Sequence, residues 1–413
     1  MAAADGRGVL RPTKADLIEL PPGSDLFVLP GRHPVGFRRR GRSGPAQVPE
    51  RLDEGTAVAA FLAPAWLRHM LPAAHGGGGP LLPLYAYCAV GFADDRFWVP
   101  AERIDPDIRQ DLDNFDLDQV ALNVAGKIAS DPDNDLMRHV GACATARACP
   151  AARNYFLGRW EAPLPTSGGC NSACIGCISE QPDDRTPTFG RIGFNPTPQA
   201  LADLAVPHLQ TAQRAVVSFG QGCEGEPLLR GDALVDTIQL VRAGTGRGTI
   251  NLNTNGSRPD VVERMCEAGL NAIRVSINSA RQGTYDKYYL PRGYTFDDVV
   301  QTLRVCQRHG VHTSINWLAF PGVSDREAEV AAMEALALEV DLKLIQVRNL
   351  NIDPELYLQS LGAGWADDAG EPLGMRAMMT RLRGSLPDVS FGYFNPPVSG
   401  EAASPGGPGP ART

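Results

Sequence analysis

From about residue 165 the sequence alternates short apolar runs with amphipathic segments, and this repeat limits the fold more than any other feature. "RAVVSF" (214–219) has the character of a strand buried on both faces. "DALVDTIQLVRAG" then sets Leu234, Ile238 and Val241 on one helical face, with Gly244 just past its end. Strand "TINLN" (249–253), helix "DVVERMCEAG", strand "AIRVSI" (272–277), helix "FDDVVQTLRVCQRHG" and strand "HTSINWLAF" follow. Ser324-Asp325-Arg326-Glu327 reads as a capping box that opens another helix, and "LKLIQV" (342–347) closes the series. Upstream, Thr197 reads as the N-cap and Pro198 as the first residue of helix "TPQALADLAV". Strands alternating with helices build βαβ units on a parallel sheet. With the Pro-containing segment before residue 165 counted as a first strand, there are about six units, fewer than an eight-fold barrel needs.

The rest of the chain is less regular. "DLFVLPG", "LLPLYAYCAVGF" and "RFWVPAERI" read as strands, "HGGGGP" as a loop, and residues 106 to 160 as mainly helical, with "DLDQVALNVAGKIA" the clearest helix. The expected division is residues 1–150 as a mixed strand and helix region, 151–360 as the core, and 361–413 as a C-terminal segment. Its tail from about residue 399, "SGEAASPGGPGPART", has a composition that cannot build a core. A net charge of −8 gives no broad reason to expect nucleic-acid binding. Arg38, Arg39 and Arg40 have no interleaved aromatics and read as a solvated basic loop. The longest apolar stretch, "AVAAFLAPAWLRHML", is broken by Pro64 and Arg68, so no membrane span is expected. The start has no apolar signal region, and the nine cysteines are an odd number, which together point to reduced thiols and a cytoplasmic location.

Three of those cysteines, Cys170, Cys174 and Cys177, crowd into "TSGGCNSACIGCISEQ" (166–181). Their spacing would fit one helical face, but Gly168, Gly169 and Gly176 with Asn171 and Ser172 favour a loop. A closed zinc site would want a fourth ligand, and the next cysteine, Cys223, belongs to a different segment. An iron–sulfur cube normally takes four thiolates. With three, one iron keeps an open position, which suits a group that must bind the metal directly.

The spacing Cys170-x-x-x-Cys174-x-x-Cys177 ahead of a βα series resembles the signature of the radical S-adenosylmethionine (SAM) superfamily. In that family the amino and carboxylate groups of SAM chelate the open iron of a [4Fe–4S] cluster. Reductive cleavage of SAM then gives a 5′-deoxyadenosyl radical that abstracts hydrogen from substrate. Downstream residues strengthen the likeness. Gly225-Glu226-Pro227, after strand 214–219, resembles the segment whose Glu holds the methionine amine; Glu226 is preferred to Glu224 because "EPLL" continues the likeness. Thr254-Asn255-Gly256 resembles the family's "TNG" turn. Ser276 and Asn278, in "VSINS", match residues that reach the ribose hydroxyls. Arg292, in "YDKYYLPRGYTF", and the nearby Lys287 stand where some relatives pair a basic residue with the SAM carboxylate.

The resemblance implies an incomplete TIM-type (β/α)6 barrel with a smaller mixed α+β N-terminal region. It also implies a reduced electron donor of the flavodoxin or ferredoxin type, and a small-molecule or peptide substrate. No cysteine follows Cys306, which leans against a peptide. No nucleic-acid or membrane partner is expected. The alternative is a non-catalytic iron–sulfur or zinc protein, which would have no need of the strand-end residues.

Two departures stand out. The residue before the third cysteine, often aromatic in the family, is Gly176, and Asn278 replaces a common Asp. Cys223 reads either as a small side chain in a Gly-rich turn or as a catalytic thiol facing the cluster cavity. Cys88, Cys143 and Cys149 read as packing residues or as ligands of a second cluster; Cys266 and Cys306 read as core. Arg348 and Asn349 are placed to meet substrate or to line a polar loop, and Trp317 reads as core.

Overall fold

The computed structural model describes residues 1–39, 47–76, 79–82, 84–109, 111–181 and 189–398. Its centre is one parallel sheet whose strands lie side by side in chain order. They are Arg159–Pro163 (β1), Gln213–Phe219 (β2), Thr249–Thr254 (β3), Ala272–Ile277 (β4), His312–Ala319 (β5), Leu344–Asn349 (β6) and Ser390–Gly392 (β7). Helices Pro198–Thr211 (α1), Gly231–Gly244 (α2), Pro259–Ala268 (α3), Gln282–Tyr289 (α4), Phe296–Arg308 (α5), Glu327–Glu339 (α6), Pro354–Leu361 (α7) and Met375–Ser385 (α8) connect them. The result is an open half-barrel, as the βα repeat implies, with a short seventh strand that the sequence pattern did not reveal. Side chains such as Leu234, Ile238, Val299 and Leu303 bury their helices against the sheet. The parallel arrangement gathers the C-terminal ends of all strands at one rim.

Local signals were mostly read correctly. Thr197 caps α1 by accepting the Ala200 N–H at 3.2 Å, with Pro198 first in the helix. The capping box at 324–327 does not form. Ser324 Oγ accepts from Phe320 N at 2.9 Å and Asp325 Oδ1 from Gly322 N at 2.6 Å, closing a tight turn, so α6 starts at Glu327 with Arg326 as its N-cap. β6 lies two residues later than the expected 342–347, because Leu342 and Lys343 remain in the preceding turn. That shift brings Arg348 and Asn349 into the strand. Residues 81–92 were expected to form a strand, but among the described residues, apart from the bridge between Ala60 and Cys88, only Gly91–Ala93 pairs. The segment instead crosses the loop after β6, where Tyr85 N donates to Asn351 O at 3.2 Å.

The N-terminal region forms small antiparallel sheets and then helices Leu117–Ser130, Asp135–Thr145 and Pro150–Phe156, which lead into β1. It is fastened to the loops after β6 and β7. The buried Arg68 guanidinium donates to Leu350 O and, at 3.0 Å, to Asn351 Oδ1, and it lies over the Phe320 ring. Tyr87 OH donates to Asp353 Oδ2 at 2.7 Å, and Asp105 accepts from Tyr393 N and Phe394 N at 2.7 and 3.2 Å. Among the described residues no helix is long and apolar enough to cross a membrane. The tail from 399, Arg40 and part of "HGGGGP" lie outside the described residues.

Candidate functional site

The cysteine segment forms no helix, as its glycines imply, and crosses the C-terminal rim of the sheet. It is held from two sides. On the β2 side, Gly225 N donates to Ser167 O at 2.6 Å and Glu226 N to Gly169 O at 2.7 Å. Only glycine permits this approach, since a Cβ on residue 225 would sit 2.0 Å from Gly169 O. On the other side, Ala173 N donates to Tyr289 O, Ile175 N to Tyr288 O and Arg292 N to Asn171 O, all within 3.1 Å. Asn255, at the end of β3, donates from Nδ2 to Asn171 Oδ1 and Ser172 Oγ at 2.8 and 2.9 Å.

Cys170, Cys174 and Cys177 are half-buried in this seat. Burial, followed by the neighbouring Cys177 and Cys170, pushes the Cys174 thiol well above its ordinary pKa. Three mutually repelling thiolates call for a cationic group to hold them deprotonated. A cavity of ≈ 520 Å³ opens on Cys174 and Cys177 and is lined also by Ser172, Gln181 and Arg292. Sequence reasoning missed Arg191, whose Nη2 lies 3.8 Å from Cys177 Sγ. It also missed the tyrosines beneath the loop. Tyr288 OH donates to Gly176 O at 3.5 Å, Tyr289 stacks on Tyr285, and Tyr294 OH meets Ser172 Oγ at 2.8 Å. The signal was the run "YDKYYLPRGYTF", which provides aromatic support where Gly176 provides none.

The two carboxylates of the β2 turn have different duties. Glu224 accepts four backbone N–H bonds, from Thr166, Ser167, Gly220 and Gln221, at 2.7–3.1 Å. Its acceptor capacity is used inside the protein. Glu226 Oε1 accepts from Thr254 Oγ1 at 2.6 Å and Leu228 N at 3.0 Å, whereas Oε2 accepts only from Asn255 N, at 2.8 Å. Burial raises both carboxyls to about 7. Glu226 keeps spare acceptor capacity on Oε2, and an ammonium group would stabilise its charged form. Glu224→Gln should lower the thermal midpoint by several degrees, because an NH2 group then faces backbone donors at a cost of about 1–3 kcal/mol. Glu226→Gln should instead weaken SAM binding roughly 10- to 100-fold. Thermal melts beside calorimetric titration of SAM check the pair, and the reverse ranking would transfer the ammonium contact to Glu224.

The other expected site residues separate into several groups. Ser276 Oγ accepts from Asn316 Nδ2 at 3.2 Å. Asn278 donates to Thr284 O and Tyr357 OH, both at 3.1 Å, and its buried Oδ1 has no partner among the described residues. Arg292 is exposed in the cavity wall, while Lys287 caps Leu361 O at the end of α7. Asn349 bonds Arg68 N and Trp66 O, so it joins the N-terminal region to the barrel instead of facing the barrel mouth. Trp317 is core. The Cys223 thiol groups with His139 and Cys143, not with the loop cysteines. Cys88 packs in a separate core with Val99 and Ala101, so Cys88, Cys143 and Cys149 do not converge as a trio.

Sequence reasoning did not find the polar floor of the half-barrel. Glu161 Oε1 accepts from Ser218 Oγ at 2.6 Å and Asn395 Nδ2 at 2.7 Å. Arg274 and Arg348 both donate to Gln346 Oε1, at 3.2 and 3.4 Å. Neither arginine makes an ion pair among the described residues, and the Nε of each is buried without a partner. Burial, then the nearby Arg348, lowers the Arg274 guanidinium to about 9.

Residues 164–334 match the model of the Radical SAM superfamily. Among curated proteins, the chain is similar to the GTP 3′,8-cyclase of Microcystis aeruginosa, with 31% identity over 118 residues, 28% of this chain and 35% of that protein. It is similar also to the GTP 3′,8-cyclase of Rhizobium etli, with 28% identity over 124 residues, 30% of this chain and 35% of the relative. The chain thus spans about a third of the length of the curated relatives it matches. Among solved structures it is similar to a radical SAM methyltransferase from Sphaerobacter thermophilus, with a TM-score of 0.38 and 15% identity over 56% of this chain and 64% of that one.

Proposed function

We propose that the chain, which carries a domain of the Radical SAM superfamily over residues 164–334, is a radical SAM enzyme that uses a [4Fe–4S] cluster and SAM, with Cys170, Cys174 and Cys177 holding the cluster and Glu226 receiving the SAM amine. When bound, the cluster and SAM would supply reductive cleavage of SAM and hydrogen abstraction from substrate. The chain's own residues bind and orient. Glu226 Oε2 would accept the ammonium, and Arg292, in the cavity wall beside Cys174 and Cys177, would pair with the SAM carboxylate. Ser276 and the unpaired Oδ1 of Asn278 take the ribose hydroxyls. Asn255 has its side chain committed to Asn171, Ser172 and Ser257, and acts by positioning the cysteine loop. Gly225 does the same through its backbone. Cys223 is left out of the hydrogen transfer, because its thiol is engaged elsewhere. The observation that carries this reading is the pair of short backbone bonds from Gly225 and Glu226 to the cysteine loop, which bring the thiols and Glu226 to one set of strand ends.

The substrate reading is a small molecule bearing a carboxylate or phosphate. Two half-buried arginines, each with a buried Nε that has no partner and no ion pair among the described residues, favour an anion, and GTP, named in the matched cyclases, has that chemistry. The electron comes from a reduced flavodoxin or ferredoxin type partner, in the cytoplasm. Deuterium transfer from labelled anionic candidates into 5′-deoxyadenosine tests the reading. With a substrate so found, Arg274→Gln or Arg348→Gln should lower kcat/KM roughly 10- to 100-fold. Unchanged kinetics in both variants would refute the anion site.

A further inference from the structure

His139 and Cys143 lie one turn apart on helix Asp135–Thr145, so both side chains occupy the same face. That face meets the turn after β2, and Cys223 completes a trio. One ring nitrogen and the two sulfurs all lie within 4.8 Å of one another. Both cysteines are buried, and His139 Nε2 is buried with no hydrogen-bond partner among the described residues. Phe194 sets its ring edge against the imidazole. Ordinary packing gives no reason for two thiols and an imidazole to converge.

We infer that His139, Cys143 and Cys223 bind a single zinc ion, leaving its fourth position to water. The donor set decides the metal. Two thiolates and one imidazole match borderline-soft Zn²⁺, which takes sulfur at about 2.3 Å and nitrogen at about 2.0–2.1 Å in a tetrahedron. Ligand atoms no more than 4.8 Å apart can close on one such ion with small side-chain shifts. A [4Fe–4S] cube normally takes four thiolates, whereas this group offers two. The surroundings suit bound thiolates: Arg147 Nη1 lies 4.0 Å from Cys143 Sγ. Cys149 is close enough to interact electrostatically with both thiols but stays outside the compact group.

The ion would tie the N-terminal helices to the turn that carries Glu224 and Glu226. Its role is to hold that turn, and it takes no part in radical chemistry.

Metal analysis of the full chain tests this without any activity assay. Protein purified anaerobically should carry about one zinc per chain, and zinc should persist when Cys170, Cys174 and Cys177 are all replaced by alanine. Cys143→Ser with Cys223→Ser should reduce zinc about tenfold, and Cys149→Ser should leave it in place. Because the double variant can unfold, zinc-free wild-type protein is also titrated with Co²⁺, and tetrahedral d–d bands with thiolate charge-transfer absorption are expected. Absence of both zinc and the cobalt bands would overturn the site, as would a Cys143–Cys223 disulfide found by mass spectrometry in the anaerobic protein. Zinc that survives the double variant would overturn it too.

Discussion

Replacing Cys174 by alanine should reduce 5′-deoxyadenosine formation from SAM and dithionite to background. Cys174 is the middle residue of the three-cysteine loop, and both of the other cysteines act on its buried thiol. Without it, a cluster would be held by two protein thiolates, and an iron that needs a protein ligand would be left without one. The loss is therefore of the whole reaction and not a fraction of it. Cys266→Ala serves as the control, because Cys266 lies on α3 among side chains of the core and should leave product formation near wild type. Product is read by chromatography after anaerobic reconstitution. Substantial 5′-deoxyadenosine from the Cys174 variant would remove the loop from its assigned role.

A second large effect is expected from a residue with no side chain. Gly225→Ala places a methyl 2.0 Å from Gly169 O and 2.5 Å from its carbon, inside van der Waals contact with rigid backbone. The strands cannot move, so the cysteine loop must. It then loses the bonds from Gly225 N and Glu226 N, each worth about 1 kcal/mol net, and its register against Glu226. Iron retained after reconstitution should fall by about tenfold or more. Gly283→Ala, on α4 with no neighbouring atom in the way of a new Cβ, should leave iron unchanged. A folded Gly225 variant with full iron and normal SAM turnover would show that the loop does not depend on this contact.

What could be read in the sequence followed from how local each signal is. The βα repeat, the Thr197 cap and the non-helical cysteine loop all depend on neighbours within a few residues, so periodicity and glycine content exposed them. The choice of Glu226 over Glu224 was readable as a pattern, but its physical basis was not. Glu224 is committed to backbone N–H groups from residues 166, 167, 220 and 221, and only the folded chain brings the first two to it. The Arg274 and Arg348 floor was hidden for the same reason, since its members come from β4 and β6, which are not adjacent. Cys223 misled because its turn lies next to the expected cofactor segment, while its thiol points to a helix some eighty residues earlier in the chain. The capping box at 324–327 failed because a tight turn used the same side chains first.

Arg68 has a consequence for how the molecule comes apart. Its guanidinium is buried between the N-terminal region and the loop after β6, bonded there to Leu350 and Asn351. A change that removes an acceptor of this guanidinium while the seam stays closed would strand a buried charge, which is far more costly than losing an apolar contact. The N-terminal region and the half-barrel are therefore coupled through the few groups that satisfy Arg68. A lesion at the seam would be felt at the strand ends, because β6 carries Arg348 on the same few residues that hold Arg68.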